Sequence, residues 1–183
     1  TAAIQNFTKV QMEMGSKNAL AVMEDADLDL AVTLALGGAF GGSGQKCTAS
    51  SRLVVHETVH DGCVEGLVAG AQAMQVGHAL QEGTQMGPVV SQQQLEENVA
   101  YVALGQSEGA ELVCGGQRLD MPTEGYYMSP GVFVNTRNDM RINREEMFAP
   151  LTSVIRVGSY DEALATVNDT RFGLTSGIVT RSL

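Results

Sequence analysis

Cys47 is placed where a thiol could act as a nucleophile. It closes the stretch Gly41-Gly42-Ser43-Gly44-Gln45-Lys46-Cys47, with an apolar run before it and Leu53-Val54-Val55 after it. A thiol held between a helix end and a strand is set for nucleophilic work. Small residues at 41–44 let a substrate come close to the backbone. Lys46, if it stays beside the thiol, favours the reactive thiolate. Taken alone, Cys47 also reads as a small buried hydrophobe, the usual condition of a free cysteine. A nucleophile needs a base and something to attack, so the other chemistry-bearing residues decide.

Two further groups stand out. Glu13 lies in Met12-Glu13-Met14-Gly15-Ser16-Lys17-Asn18, 34 positions ahead of Cys47. A carboxylate between two methionines at a chain turn is expected to be partly desolvated, which moves it toward the range of a general base. It reads otherwise as a surface glutamate beside a turn. The second group is Glu145-Glu146-Met147-Phe148-Ala149-Pro150, a carboxylate followed two residues later by an aromatic, ahead of a rigid proline. A carboxylate can grip ribose hydroxyls, and an aromatic can hold a planar ring. Without a ligand it is a charged turn before a strand.

The elements that must position these groups alternate. Residues 1–12 read as a helix tail running into a strand, and 13–18 as a polar break. A buried strand is expected at 19–23, then a helix at 28–40 capped by Asp25 or Asp27. That helix is apolar on most faces and is expected to be buried. A strand at 52–55 and a helix near 59–75 follow, then a loop at 77–88. Ser91 caps a polar helix at 92–105 with Leu95, Val99 and Val102 on its apolar stripe. Short strands are expected at 111–114 and 130–134, with loop at 121–129 and irregular chain at 138–147. A strand at 153–157, a helix at 160–168 capped by Ser159 or Asp161, and a last strand at 176–180 complete the order. The alternation predicts an α/β domain with a mostly parallel sheet and helices on both faces.

Composition narrows the function. With 183 residues the chain is long enough for one domain with a full core. Eleven Lys and Arg against 21 Asp and Glu give a net charge of −10, which disfavours nucleic acid and anionic membranes as partners. No apolar run approaches the length of a membrane span, and no signal peptide is visible. Cys47, Cys63 and Cys114 have no metal-like spacing, so no metal is expected, and their usage fits a reducing, cytoplasmic setting. Cys63 and Cys114 default to structural thiols. His56 and His60 could share a helix face but have no second motif to make them zinc ligands, and are expected at the surface. A cysteine hydrolase or acyltransferase would need one of them as base, without an Asn or Asp pattern to support it. A nucleotide-binding module at Gly41–Gly44 lacks both G-x-G-x-x-G and G-K-[ST]. A catalytically silent assembly domain would have no need of both Glu13 and Cys47.

Four segments taken together, Glu13-Met14-Gly15, Gly44-Gln45-Lys46-Cys47, Glu145 to Pro150, and Asn168-Asp169-Thr170-Arg171-Phe172-Gly173-Leu174, resemble the aldehyde dehydrogenase superfamily in content and order. The resemblance covers nearly the whole chain. It implies the superfamily's Rossmann-like three-layer catalytic domain and NAD(P)-dependent oxidation of an aldehyde to an acid. Cys47 is then the nucleophile that forms a thiohemiacetal and, after hydride transfer to nicotinamide, a thioester. Its backbone N–H supplies half of an oxyanion hole. Glu13 matches the general base for hydrolysis. Glu146 matches the ribose-binding residue, Phe148 the aromatic beside the nicotinamide, and Gly15 the place where the backbone passes that ring. Gln94 falls where some members contact the adenosine side. Ser16 and Ala149 replace glycines of the pattern, and Ala149 would be constrained if a positive φ were required there. The resemblance further implies that residues 1–183 are a single catalytic domain truncated at both ends. The NAD- or NADP-binding domain would lie upstream, and the parent would be a homodimer or homotetramer. The piece alone is then expected neither to bind NAD(P) tightly nor to turn over aldehyde. The motif wording is similar to 2-oxoglutarate semialdehyde dehydrogenases, which points to a small acidic aldehyde, with succinate semialdehyde or another short aliphatic aldehyde as alternatives. Arg171 is a candidate for its carboxylate by charge alone.

Overall fold

The N-terminal ends of three neighbouring parallel strands organise the domain. A computed structural model describes residues 2–182. In chain order its elements are α1 (Ala2–Gln5), β1 (Asn18–Val22), α2 (Leu28–Phe40), a 3-10 turn (Gly41–Gly44), β2 (Ser50–His56), α3 (Glu57–Ala73), α4 (Gln92–Ser107), β3 (Glu111–Cys114), β4 (Arg118–Leu119), β5 (Tyr127–Met128), β6 (Gly131–Val134), α5 (Arg141–Arg144), β7 (Leu151–Val157), α6 (Tyr160–Asn168) and β8 (Ser176–Val179). The main sheet has the order β3-β6-β7-β2-β1-β8. Every pairing in it is parallel except β3 with β6. The expected α/β class with a mostly parallel sheet is what the chain adopts.

The strands read as near-continuous apolar runs because helices cover both faces. Leu20, Val22, Leu53 and Val55 point to the face covered by α2 and α3. Ala19, Val54 and Val157 point to the opposite face, against Ala163 of α6. On that second face, farther along the sheet, Phe133 and Leu151 pack with Leu95 of α4 and Ile142 of α5. A side-chain period of two divides each strand between the two layers.

Helix α2 is buried less completely than its composition predicts. It buries Ala31, Ala35, Ala39 and Phe40, whereas Leu30 and Leu34 are about half exposed, at 50% and 47%. Its larger residues Val32 and Leu36 pack against glycines of α3, which lies very close. A Cβ on Gly66 would stand 2.9 Å from Val32, and one on Gly70 only 2.3 Å from Leu36. Asp27, not Asp25, caps α2, its carboxylate accepting from Leu30 N–H at 3.1 Å. Asp25 instead accepts from the Thr180 hydroxyl and Arg181 N–H beyond β8.

Four local expectations are corrected. Residues expected to form loop at 121–129 include β5, which pairs with β4 as a two-stranded hairpin. The polar stretch at 138–147 contains the one-turn helix α5. His56 and His60 are buried, at 9% and 6% exposure. His56 accepts at the N-terminus of α3 from Thr58 N–H, and His60 meets Asp61 and Arg156. The first 17 residues begin with α1 and continue without regular structure to β1, so the strand expected within 1–12 is not formed by the described residues. No described helix is long and apolar enough to cross a membrane.

Candidate active site

Topology gathers the candidate residues. Glu13 precedes β1, Cys47 precedes β2 and Glu146 with Phe148 precedes β7, and these three strands are parallel neighbours in the order β7-β2-β1. Parallel strands start on the same side, so segments that lie far apart in sequence arrive at one edge of the sheet.

The Cys47 loop is held from several directions. The turn at Gly41–Gly44 reverses the chain through positive φ at Gly42, Ser43 and Gly44. The Ser43 hydroxyl donates to Gly87 O at 2.8 Å, and Gln45 Oε1 accepts from Val90 N–H at 2.9 Å. Gly44 packs directly on Ala149, whose carbonyl oxygen would lie 1.9 Å from a Cβ there. From β1, Asn18 Nδ2 donates to Cys47 O at 2.8 Å and Ala49 O at 2.9 Å. Asn18 pairs with Ser50 and Ala19 with Arg52, so Ser51 is an extra residue in β2 and the strand starts with a bulge. Cys47 itself is exposed, and its N–H has no hydrogen-bond acceptor among the described residues. Lys46 folds back over the turn, with its Nζ 3.1 Å from where a Cβ on Gly41 would sit.

Glu13 lies on the exposed stretch before β1, where Gln11 donates to it at 3.4 Å. The expected desolvation by its neighbouring methionines is not found. Met12 and Met14 are 71% and 57% exposed, because this stretch runs outside the core and they shelter nothing. Glu13 and Cys47 make no hydrogen bond to each other.

The two adjacent glutamates have different surroundings. Glu145 accepts from Arg141 at 2.8 Å and from Tyr101 OH at 3.1 Å, and the Arg141 guanidinium holds its carboxyl below the usual range. Glu146 reaches across to the β1 approach, where its Oε1 accepts from Ser16 N–H at 3.0 Å. Its Oε2 accepts no hydrogen bond among the described residues. Gly15 lies directly beneath, and a Cβ there would stand 2.1 Å from that Oε2. The positive φ falls on Phe148, at 54°, and not on Ala149. An aromatic residue in that region is strained by about 1 kcal/mol. It is fixed by Gln94, whose Nε2 donates to Met147 O at 3.3 Å and to Asn98 at 2.8 Å. Phe148 is left 38% exposed.

Arg171 is exposed, its guanidinium 5.1 Å from the centre of the Phe172 ring. Cys63 and Cys114 are buried, and burial pushes both thiols up. Neither His56 nor His60 hydrogen-bonds the Cys47 thiol. Among the described residues no group of three or more His, Cys, Asp and Glu is placed to hold a metal ion.

Sequence reasoning passed over the residues that hold the site. Asn18 was legible only as part of a polar break, although a polar side chain opening a buried strand must find partners. Arg52, 1% exposed, donates to Lys17 O, Thr166 O, Val167 O and Asn138, tying β1, α6 and the approach to α5 together. Its partners are non-local carbonyls, which leave no pattern in the sequence.

The whole arrangement has relatives. The aldehyde dehydrogenase family profile matches residues 1–183. The alpha-ketoglutaric semialdehyde dehydrogenase of Bacillus subtilis is 39% identical over 184 residues, covering 100% of this chain and 38% of the relative. A betaine aldehyde dehydrogenase of Rhizobium leguminosarum is 43% identical over 183 residues, covering 100% of this chain and 38% of the relative. The crystal structure of betaine aldehyde dehydrogenase from Staphylococcus aureus in complex with NAD+ superposes with a TM-score of 0.93 at 32% identity, covering 98% of this chain and 36% of that one. This chain thus spans little more than a third of the length of these relatives, and it belongs to the aldehyde dehydrogenase family.

Proposed function

We propose that this chain is the nucleophile-bearing part of a longer NAD(P)-dependent aldehyde dehydrogenase. The observation that carries the reading is the exposed Cys47. Its loop is clamped by Asn18 at the head of β1, one strand away from the entry that presents Glu146 and Phe148. The Cys47 thiolate attacks the aldehyde carbon, and its free N–H faces the oxygen on which charge develops. When bound, the nicotinamide supplies the two-electron acceptor that the aldehyde-to-acid change requires. The acyl group remains on Cys47 as a thioester. Glu13 takes a proton from water, which attacks the thioester, and the thiolate leaves.

The residues present fit a nicotinamide nucleotide. Glu146 has one oxygen engaged by Ser16 N–H and one left to accept from a ribose hydroxyl. Phe148 offers an exposed ring, and Gly15 leaves the backbone bare beside the carboxylate. A small acidic aldehyde such as 2-oxoglutarate semialdehyde is the proposed substrate, supported by the motif wording and by the name of the Bacillus subtilis relative. The 183-residue piece alone neither binds NAD(P) tightly nor turns over aldehyde.

The test is an aldehyde panel on the intact protein with NAD and with NADP. Reduced cofactor should appear with a semialdehyde carrying a carboxylate, should vanish in Cys47→Ala and should fall by roughly a hundredfold or more in Glu13→Gln. Full turnover by Cys47→Ala sinks the reading. Turnover of betaine aldehyde in preference to the acidic semialdehyde overturns the substrate assignment alone.

A further inference from the structure

Lys17 is an anomaly in the core. It is 1% exposed, and its Nζ has no hydrogen-bond partner among the described residues. A lysine is almost never enclosed without a partner, because its ammonium loses its hydration. A methionine would fill the same space without that cost. The charged groups that face it are few. Arg52 of β2 donates to the Lys17 carbonyl at 3.0 Å, and Glu146 and Glu145 approach from the segment between α5 and β7. Arg52 is engaged by four acceptors, and Glu145 by Arg141 and Tyr101. Glu146 is the carboxylate with an uncommitted oxygen. It also exerts the larger pull on Lys17, and it sits on the N–H of Ser16, the residue next to Lys17.

We propose that Lys17 is a positioning residue for Glu146: its buried charge draws the carboxylate onto Ser16 N–H and so sets the affinity for the dinucleotide. The inference rests on Glu146 as the ribose-gripping residue. Lys17 touches no substrate in this scheme and acts only through Glu146.

The charge is conditional. Burial, and then the Arg52 guanidinium, push Lys17 down to about 7, against the pull of Glu146 and Glu145. Below that pH the ammonium is present and Glu146 is held. Above it the charge is lost and Glu146 is released.

The experiment is calorimetric titration of the intact protein with NAD and with NADP between pH 6 and 9, for wild type, Lys17→Met, Lys17→Gln and Glu146→Gln. Wild type should bind more weakly as pH rises through about 7, by roughly tenfold, the size of a typical coupling between two groups acting on one ligand. The Lys17 variants should bind at the weaker level at every pH, with kcat at saturating cofactor within about twofold of wild type. Glu146→Gln should bind weakly and also lose the pH step, because Lys17 acts through that carboxylate. If Glu146→Gln binds like wild type, the ribose assignment falls. If Glu146→Gln is weak but the Lys17 variants keep wild-type affinity or its pH step, Lys17 has no positioning role. Should neither Lys17 variant fold, the wild-type titration decides: affinity that is flat across pH 7 overturns the inference.

Discussion

The side-chain amide of Asn18 donates to the carbonyl of Cys47 at 2.8 Å, and through it the first residue of β1 fixes the loop that precedes β2. The same amide group reaches Ala49 O, and its Oδ1 accepts from Thr175 N–H at 3.2 Å and from the Ser16 hydroxyl. One buried side chain thus joins the glutamate-bearing approach, the cysteine loop and the entry to β8. It is positioned by strand register, since Asn18 stands opposite Ser50.

Asn18→Ala removes two donors and strands two carbonyls. Leaving such groups unpaired costs about 1–3 kcal/mol. We expect a lower midpoint in urea and a Cys47 loop that no longer holds one geometry. In the intact enzyme kcat should fall at least about tenfold, since small misplacements of reacting groups are expensive. Wild-type kcat in Asn18→Ala would show that the clamp is dispensable.

The three thiols should separate cleanly. Cys47 is exposed, whereas Cys63 and Cys114 are enclosed and pushed up by burial. Iodoacetamide at pH 8 should label the native 183-residue chain at Cys47 alone, with the other two reacting only in denaturant. Comparable labelling of Cys63 or Cys114 in the native chain, read by peptide mass spectrometry, would contradict the packing described.

Gly44→Ala should be among the most damaging single-methyl changes. Its Cβ would meet Ala149 O at 1.9 Å, and its φ of +67° disfavours any side chain. Both sides of that contact are backbone, so neither can yield. The expected loss is about 2–4 kcal/mol. Gly37→Ala is the control. It lies inside α2 with nothing within 4 Å, and should stabilise the chain by about 0.5–1 kcal/mol. Equal thermal midpoints for the two variants would refute the argument.

Lys17→Met should stabilise the protein, most of all at neutral and acid pH. The folded chain holds Lys17 at about 7 against an ordinary value of 10.5. Between those values the unfolded chain carries a proton that the folded one does not, so the Lys17 contribution to stability improves as pH rises. Below pH 7 the penalty is fully present, on the order of a few kcal/mol. Paired denaturation curves at pH 6 and pH 10 should show a gain at pH 6 that shrinks by pH 10. A gain independent of pH would mean that the ammonium is not the cause. A residue that costs stability where it stands fits the positioning role inferred for it.

What was legible in the sequence was local or periodic. The glycine turn ahead of Cys47, the 13 residues of α2, the Ser91 cap and the strand of β3 follow from turn chemistry, capping and runs of apolar residues. So did the α/β class, because alternation of strands and helices admits few other layouts. Tertiary structure decided the rest. The parallel order β7-β2-β1 brought the segments that carry Glu13, Cys47 and Glu146 to one end of the sheet, and no local signal encodes which strand pairs with which. His56 and His60 read as surface residues because they are polar, yet helix capping and a pair with Asp61 and Arg156 satisfy them at low exposure. Met12 and Met14 read as a shelter for Glu13, yet side-chain polarity says nothing of whether a core lies nearby. Asn18, Arg52 and Lys17 owe their roles to partners up to 157 residues away, which only the folded chain brings within reach.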